Sequence, residues 1–459
     1  MSPHESSRTP HHADVVVVGA GAAGLWCAQR AAELCGPGVR VLVLEKTART
    51  GTKVLASGGT RCNLTTTLHA DEAARLFGRR GERFLRPALR MLGPHAVRER
   101  FARWGVPTEE APLDKVFPSS GRARDVRDAL ERALLSSGAR LRLQTAVRSL
   151  AVTGTGFSLA LGGGAVVRAR QLVLAPGGMS YPKTGTTGDG YAWLRSLGLP
   201  LVAPVPALVP LSSPAAFVHA LSGVTLEAAE VRVHDGAGRE RGRRRRPLLF
   251  THRGVSGPAA MDLSEVVSRG LADDPSASFT LRVDLVPSLS REALQALFVE
   301  AAARAQAPPV SHLLPAALPR RVLQAVLESI GWRGPEPRAN ALPRGSRRAL
   351  IETLKGLPIP IDGTLGYERA EVTAGGLELS AVDPGSARVK RFPGLYVCGE
   401  LLDLQGPIGG LNFQAAFAMG EVAALAIARE YGRAGRPLPG NGDDAAGGAG
   451  CAAARSSEP

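Results

Sequence analysis

The sequence predicts an α/β protein in which a Rossmann-like nucleotide-binding domain is interrupted by insertions, and three short segments predict it. The first is a strand, a glycine turn and the start of a helix, Val15-Val16-Val17-Val18-Gly19-Ala20-Gly21-Ala22-Ala23-Gly24. The second, Leu172-Val173-Leu174-Ala175-Pro176-Gly177-Gly178, lies near mid-chain, and the third, Gly394-Leu395-Tyr396-Val397-Cys398-Gly399-Glu400, near the end. For one nucleotide to be held by the start, the middle and the end of a chain, the remainder must be inserted between them.

The elements follow in order. Residues 14–24 read as strand and turn, and 25–34 as a helix. Residues 39–44 form the next buried parallel strand, an unbroken apolar run. Helix is predicted over 71–104, and again over 123–137 from apolar residues at helical spacing. Residues 140–150 and 157–167 alternate as strands, and 171–175 is another core strand. Composition changes near Pro200, where Pro204, Pro206, Pro210 and Pro214 punctuate the chain. Short alternating runs such as 230–234 and 278–283 then predict a β-rich unit to about Leu285. Residues 289–330 read as helical, broken at Pro308-Pro309, Pro315 and Pro319. From about Glu371 the chain returns to the nucleotide domain, which ends in a helix over 413–430.

A chain of 459 residues exceeds one small core and predicts two or three domains. Its 44% apolar content is ordinary for a globular protein. The five cysteines (27, 35, 62, 398 and 451) include no CxxC pair, so neither a disulfide framework nor a metal site is expected. A reducing cytoplasm fits that usage. Residues 1–13 are polar and lack the apolar centre of a secretion signal. No uninterrupted run of about 20 apolar residues occurs, so no membrane partner is expected. The nearest candidate, 413–428, is interrupted by Gly420 and Glu421 and reads as a buried helix. The formal charge is +15, and only six of the 56 basic residues are lysines. An arginine excess follows either from base composition or from a polyanionic partner, whose phosphates a positive field attracts. The densest cluster is Arg239, Arg241 and 243–246, read as a solvated turn or a phosphate contact.

Gly19, Gly21 and Gly24 give GxGxxG between a strand and a helix. A side-chain-free turn lets a pyrophosphate approach the helix N-terminus, where free N–H groups and the dipole favour anions. Glu45 closes the next strand, placed to accept hydrogen bonds from a ribose diol. The motif alone does not separate NAD from FAD. The following stretch does: Gly51-Thr52-Lys53 and Ser57-Gly58-Gly59-Thr60-Arg61-Cys62-Asn63 form a loop too glycine-rich for ordinary coil.

Here the chain resembles the BaiN/RdsA-type (YhiN-like) flavoproteins. Further matches follow in family order. They are 177–182 with 185–190, the run 249–258 (Leu249-Phe250-Thr251-His252-Arg253-Gly254-Val255-Ser256-Gly257-Pro258), and 393–400 with Gly409-Gly410-Leu411-Asn412. The resemblance spans about 14–430. It implies bound FAD in a Rossmann-like FAD-binding domain, with an inserted β-barrel-like part and a helical part. The implied division is 13–203 and 371–431 for the FAD-binding domain, 204–285 for the β-rich insert, 286–345 for the helical insert and 346–370 for a return through the β insert. Disordered ends are expected at 1–12 and 432–459. Cofactor-binding candidates are Gly19, Ala20, Gly21, Ala22, Ala23, Gly24, Glu45, Lys46, Lys53, Gly58, Gly59, Arg61, Cys62, Asn63, Ala175, Gly177, Gly178, Gly399, Glu400, Asp403, Gly409, Gly410, Leu411 and Asn412. Glu400 or Asp403 could bond ribityl hydroxyls, and the amides of 409–412 could stabilise negative charge on reduced flavin. The chain departs from the family at Thr60, Pro176, Ile408 and Leu411, where Gly, Thr, Thr and Tyr are usual.

The resemblance further implies reduction of a carbon–carbon double bond, on a uridine of ribosomal RNA or on a bile-acid-like intermediate. Such chemistry needs a hydride from the flavin and a proton from an acid. Cys62, His252 and Tyr181 are the candidate acids, each with a packing or loop-bonding role as the alternative. No second GxGxxG marks a domain for NAD(P)H, which is expected as a transient donor. RNA and a small enone-like molecule both stand as substrates. The competing readings are a flavin-binding RNA or ribosome partner without turnover, and a colourless NAD dehydrogenase.

Overall fold

The computed structural model of the chain describes residues 12–433. The strand His12–Val18 runs through the middle of a seven-stranded sheet, parallel to Val41–Leu44 on one side and to Val166–Leu174 on the other. Arg140–Arg142 extends the sheet beyond Val41–Leu44, and Leu395–Val397 pairs in parallel with the last turn-ward residues of Val166–Leu174. The register sets Val18 beside both Leu44 and Leu174, and Leu174 beside Val397. Four strands therefore end at one carboxyl edge. Parallel pairing by itself gathers the residues that follow them (Gly19, Glu45, Ala175 and Cys398) where doubly wound folds place a ligand.

Several expected elements are divided. The 71–104 stretch is three helices, Ala70–Arg75, Gly78–Met91 and Pro94–Arg103. Gly78 has a left-handed φ of 70°, and Pro94 can open a helix but supplies no N–H to continue one. The 140–150 run is two strands, Arg140–Arg142 and Val147–Thr153. The 157–167 run reverses at Gly163 and Gly164, both left-handed, so Gly156–Leu161 and Val166–Leu174 are antiparallel. Apolar residues keep their parity across both strand turns (Leu141, Leu143 and Val147; Leu159, Leu161 and Val167), although Gly162-Gly163-Gly164 marks the second of them.

Leu201–Ala207 leaves the nucleotide domain and Val372–Leu377 returns to it, paired antiparallel as a two-stranded neck. Beyond it lies an antiparallel sheet in the order Leu357–Ile361, Phe279–Asp284, Thr225–Asp235, Glu240–Thr251, Gly254–Ser256, Leu211–Ser212, Gly363–Thr364. Its first and last members are separated in the chain only by Asp362. The sheet therefore curls until one segment closes both edges, a barrel-like solution that leaves no long strand edge unpaired.

The stretch expected to be β-rich, 204–285, also contains a 17-residue helix, Gly257–Asp273. Its buried residues Ala259, Ala260, Leu263 and Val267 keep helical spacing on the face turned inward. The helical part consists of Arg291–Ala303, Arg320–Ser329 and Arg344–Leu354, the last beginning just before the expected boundary.

Two cores result. One, around Trp26, Phe101 and Phe417, lies under the parallel sheet. The other, around Val231, Phe250, Phe298 and Leu350, fills the insert. The termini expected to be disordered lie outside the described residues, except His12, which starts the first strand, and Gly432 and Arg433, which end the last helix. That helix, Leu411–Arg433, is long and apolar enough to cross a membrane by composition. However, 78% of its most apolar window is buried inside the protein, so it is a core helix.

Candidate active site

The glycines of the first turn have separate jobs. Gly19 takes φ 103°, and a Cβ there would lie 2.3 Å from the Ala175 carbonyl oxygen. A Cβ on Gly24 would lie 1.9 Å from the Gly19 carbonyl oxygen. These two let strands and helix approach. Gly21 is different: a Cβ there meets nothing within 4 Å, because it faces an open cleft. Behind it the helix Ala22–Cys35 begins without a side-chain cap, so its first N–H groups are available to an anion. At the wall beside it, Glu45 Oε2 accepts the Ala20 amide at 2.8 Å and Oε1 accepts the Thr47 amide at 2.8 Å. Lys46 donates to Asp189 at 2.5 Å and to Thr187 at 2.6 Å.

Further along the cleft, one network ties the Gly51-Thr52-Lys53 stretch to residues following the mid-chain segment and to Glu400 of the third. Lys53 Nζ donates to Glu400 Oε2 at 2.5 Å and to the Ser180 hydroxyl at 2.6 Å. Glu400 Oε1 accepts the Ser180 hydroxyl at 2.7 Å and the Thr373 amide at 2.9 Å. Gly178 must be glycine to lie against this knot: its Cβ would meet Thr373 Oγ1 at 2.4 Å and Glu400 Oε1 at 2.5 Å.

The far end is built from loops 57–63 and 406–412. Gly58, Gly59, Thr60 and Cys62 all have left-handed φ, 55°, 63°, 70° and 61°. Thr60 is β-branched and strained there, where glycine would not be. Asn63 Oδ1 accepts the Val116 amide at 3.2 Å. The Asn412 side chain pairs in both directions with Gly406, at 2.8 and 2.9 Å. Asp262 accepts the Ile408 amide at 2.8 Å, while Arg246 donates to Asp262 and to the Ile408 carbonyl, each at 2.8 Å.

The cleft, about 470 Å³, is lined by Gly19, Ala20, Gly21, Ala22, Ala23, Glu45, Lys46, Lys53, Gly58, Gly59, Asn63, Ala175, Gly177, Gly399, Glu400, Gly409, Gly410 and Asn412. Other expected residues stand elsewhere. Gly24, Gly178 and the buried Leu411 pack behind the lining. Arg61 is exposed, stacked 4.3 Å over Phe117. Asp403 faces Arg269 at 3.8 Å, and desolvation of its half-buried carboxyl pushes it above the usual range.

Of the three candidate acids, Tyr181 alone lines the cleft. Cys62 is fully buried in the left-handed loop, and desolvation pushes its thiol to about 12. His252 is exposed at the tip of the hairpin joining Glu240–Thr251 to Gly254–Ser256, outside the lining. Cys62 and His252 are thus corrected as proton donors on placement: neither side chain reaches the cleft. The arginine cluster, read as a solvated turn or a phosphate contact, lies mainly on the strand Glu240–Thr251, with carboxylates beside it. Asp235 faces both Arg239 and Arg241, Glu240 pairs with Arg243, and Asp262 lies near Arg244 and Arg246, three carboxylates against six arginines.

Missed from the sequence were Lys115, Phe117, Leu208, Glu371 and Val372, which also line the cleft. No motif marks them. They come from a small antiparallel sheet and from the neck, and only folding brings them together.

A family model described as the HI0933-like protein Rossmann domain matches residues 13–426. The chain belongs to the HI0933-like family. The chain is 30% identical over 408 residues to the ribosomal RNA dihydrouridine synthase of Escherichia coli strain K12, covering 88% of this chain and 95% of that one. It is also 30% identical over 414 residues to the 3-dehydro-bile acid delta(4,6)-reductase of Clostridium scindens, covering 90% and 98%. A ribosomal RNA dihydrouridine synthase of Haemophilus influenzae is 29% identical over 437 residues, with 91% and 99% covered. The HI0933-like family is one of FAD-dependent oxidoreductases.

The residues present fit FAD. The open faces of Gly21 and Gly59, the uncapped helix start and the carboxylate of Glu45 lie along one cleft, with Gly409 beside only a distant carbonyl at its far end.

Proposed function

We propose that this protein reduces an activated carbon–carbon double bond, with FAD as its cofactor and NAD(P)H as the transient electron donor. The observation that carries the reading is the single cleft in which segments from the start, middle and end of the chain meet, polar at the Glu45 end and largely apolar around Phe117, Leu208 and Ile408. When bound, FAD supplies hydride transfer. The amides of residues 19–23 would hold its pyrophosphate, Glu45 its ribose, Lys53 and Glu400 its ribityl chain, and residues 58–59 and 409–412 its ring system. The apolar end excludes water from the reacting atoms, which strengthens each polar contact made there.

A pyrimidine of ribosomal RNA is the leading substrate, supported by the similarity to two dihydrouridine synthases and by the net charge of +15. A small enone is the second reading, favoured by the carboxylates that offset half of the arginine charge at 239–246 and by the similarity to a bile-acid reductase. The cytoplasm is the proposed compartment, and the cysteines 27, 35, 62 and 398 are free and buried.

Purified protein is expected to be yellow and to release FAD on heating; a colourless protein would sink the flavoenzyme reading. Mapping dihydrouridine in ribosomal RNA after gene deletion separates the substrates, since an unchanged map removes the RNA. Turnover of the small enone is expected to be insensitive to salt, whereas phosphate contacts weaken steeply with it.

A further inference from the structure

Seven charged residues line the cleft, and five are already satisfied by protein groups. Glu45 is held by Ala20 and Thr47, Lys46 and Asp189 by one another, and Lys53 and Glu400 by one another and Ser180. The remaining two are Lys115 and Glu371. Among the described residues, neither side chain forms a hydrogen bond or an ion pair with the protein. They come from different parts of the fold, Lys115 from the strand Lys115–Pro118 and Glu371 from the residue preceding the returning neck strand. Both open into the same cleft, beside the apolar Phe117, Leu208 and Ile408. Opposite charges that share a recess without joining leave room for a ligand between them.

We propose that Lys115 and Glu371 form the polar subsite for a conjugated carbonyl of the substrate, Lys115 donating to the carbonyl oxygen and Glu371 giving the proton. This rests on the double-bond reading above. Saturating such a bond adds a hydride equivalent, which reduced flavin supplies, and one proton. As the π electrons move onto the carbonyl oxygen, the Lys115 ammonium stabilises the negative charge. The Glu371 carboxyl then protonates the α-carbon, becomes a carboxylate and is reprotonated from water. The electrostatics suit those roles. Although the Glu371 side chain is solvent-accessible in the cleft, the protein packed around it pushes its carboxyl above the ordinary range against the opposing pull of Lys115 and Lys53, which favours a held proton. Desolvation, then the neighbouring Arg246, holds Lys115 below its ordinary value.

The test uses flavin-loaded protein and two probes. Para-hydroxybenzaldehyde, a planar conjugated carbonyl compound, is titrated against oxidised enzyme while the flavin absorption is followed. Cyclohexenone is used to reoxidise photoreduced enzyme. Wild type is expected to bind the aldehyde saturably. Lys115→Met should weaken that binding by roughly 10-fold, the scale of one charge-assisted hydrogen bond, and Lys115→Arg should restore part of it. Glu371→Gln keeps a hydrogen-bond donor, so it should bind the aldehyde much as wild type does while slowing reoxidation by about 100-fold. Flavin content and melting temperature verify that each variant is folded. Absence of aldehyde binding in wild type, unchanged binding in Lys115→Met, or unchanged reoxidation in Glu371→Gln overturns the subsite. A wild type that binds the aldehyde but is not reoxidised by cyclohexenone sinks the double-bond reading instead, with the binding subsite left standing.

Discussion

Gly19 and Gly21 are two positions apart and answer to different forces. A methyl group on Gly19 would collide with backbone at 2.3 Å, and its φ of 103° excludes ordinary side chains. A methyl group on Gly21 has protein-free space around it. Gly19→Ala should therefore damage folding itself, lowering the melting temperature with or without FAD. Gly21→Ala should fold like wild type, with an unchanged circular dichroism spectrum and melting temperature in the flavin-free protein, yet purify with much less flavin per chain. Equal flavin content in Gly21→Ala would remove the pyrophosphate from this turn.

Glu371 makes a pH prediction at the same scale. Its side chain is solvent-accessible in the cleft, yet the surrounding protein raises its folded pKa, so the native protein keeps that proton to a higher pH than the unfolded chain does. The stability it contributes is present below the ordinary carboxylate range and is lost as pH rises through the folded value. Melting curves between about pH 4 and 8 should show Glu371→Gln gaining on wild type as the pH climbs. A constant offset across that window would contradict the raised value. Stability regained on removing a charge from a cleft is the trade-off expected where function set the residue.

At the scale of elements, the contact between Ala22–Cys35 and Leu411–Arg433 joins the two ends of the described chain. Gly420 allows it: a Cβ there would lie 2.9 Å from the Ala23 carbonyl oxygen. Next to it, buried Glu421 accepts the Trp26 indole N–H at 2.8 Å and the Arg30 guanidinium at 2.9 Å. The interruption that Gly420 and Glu421 make in the apolar run is thus a helix–helix crossing point and its internal ion pair. Glu421→Ala leaves the indole N–H without a partner and Arg30 with only Glu33, and denaturant titration should show a loss of roughly 3 kcal/mol. A change under about 0.5 kcal/mol, ordinary for a surface residue, would show that the pair is not structural.

The whole molecule is organised around one ligand cleft reached from three distant parts of the chain. Binding FAD only in the folded state should raise stability by mass action, by about 4 kcal/mol at a thousandfold excess over its Kd. Removing FAD should lower the melting temperature. It should also speed amide hydrogen exchange at 57–63, 177–188 and 406–412 together, since all three lie against the cleft. Acceleration confined to one of these would argue against a shared ligand.

Much of the nucleotide domain was legible. The strand–turn–helix at 12–35 rests on local chemistry, an apolar run, a glycine turn and a helix start, and the parallel strands are unbroken apolar runs because both their faces are buried. The barrel-like closure was not readable from the residues themselves. It depends on Leu357–Ile361 and Gly363–Thr364 pairing with strands that end more than 70 and 140 residues earlier. The helix Gly257–Asp273 was hidden among strands, and the Arg246–Asp262–Ile408 tie that shapes the 406–412 loop has no motif at all.

The sequence by itself determined the nucleotide turn, the acid that follows the second strand and the family, because each is written in contiguous residues whose backbone needs are local. Only the tertiary structure decided which charged groups meet in the cleft without a partner. Lys115 and Glu371 lie 256 positions apart in the chain, so no local pattern joins them. An open position in the cleft and the exhaustion of every other charge there, both properties of the folded surface, are what single them out.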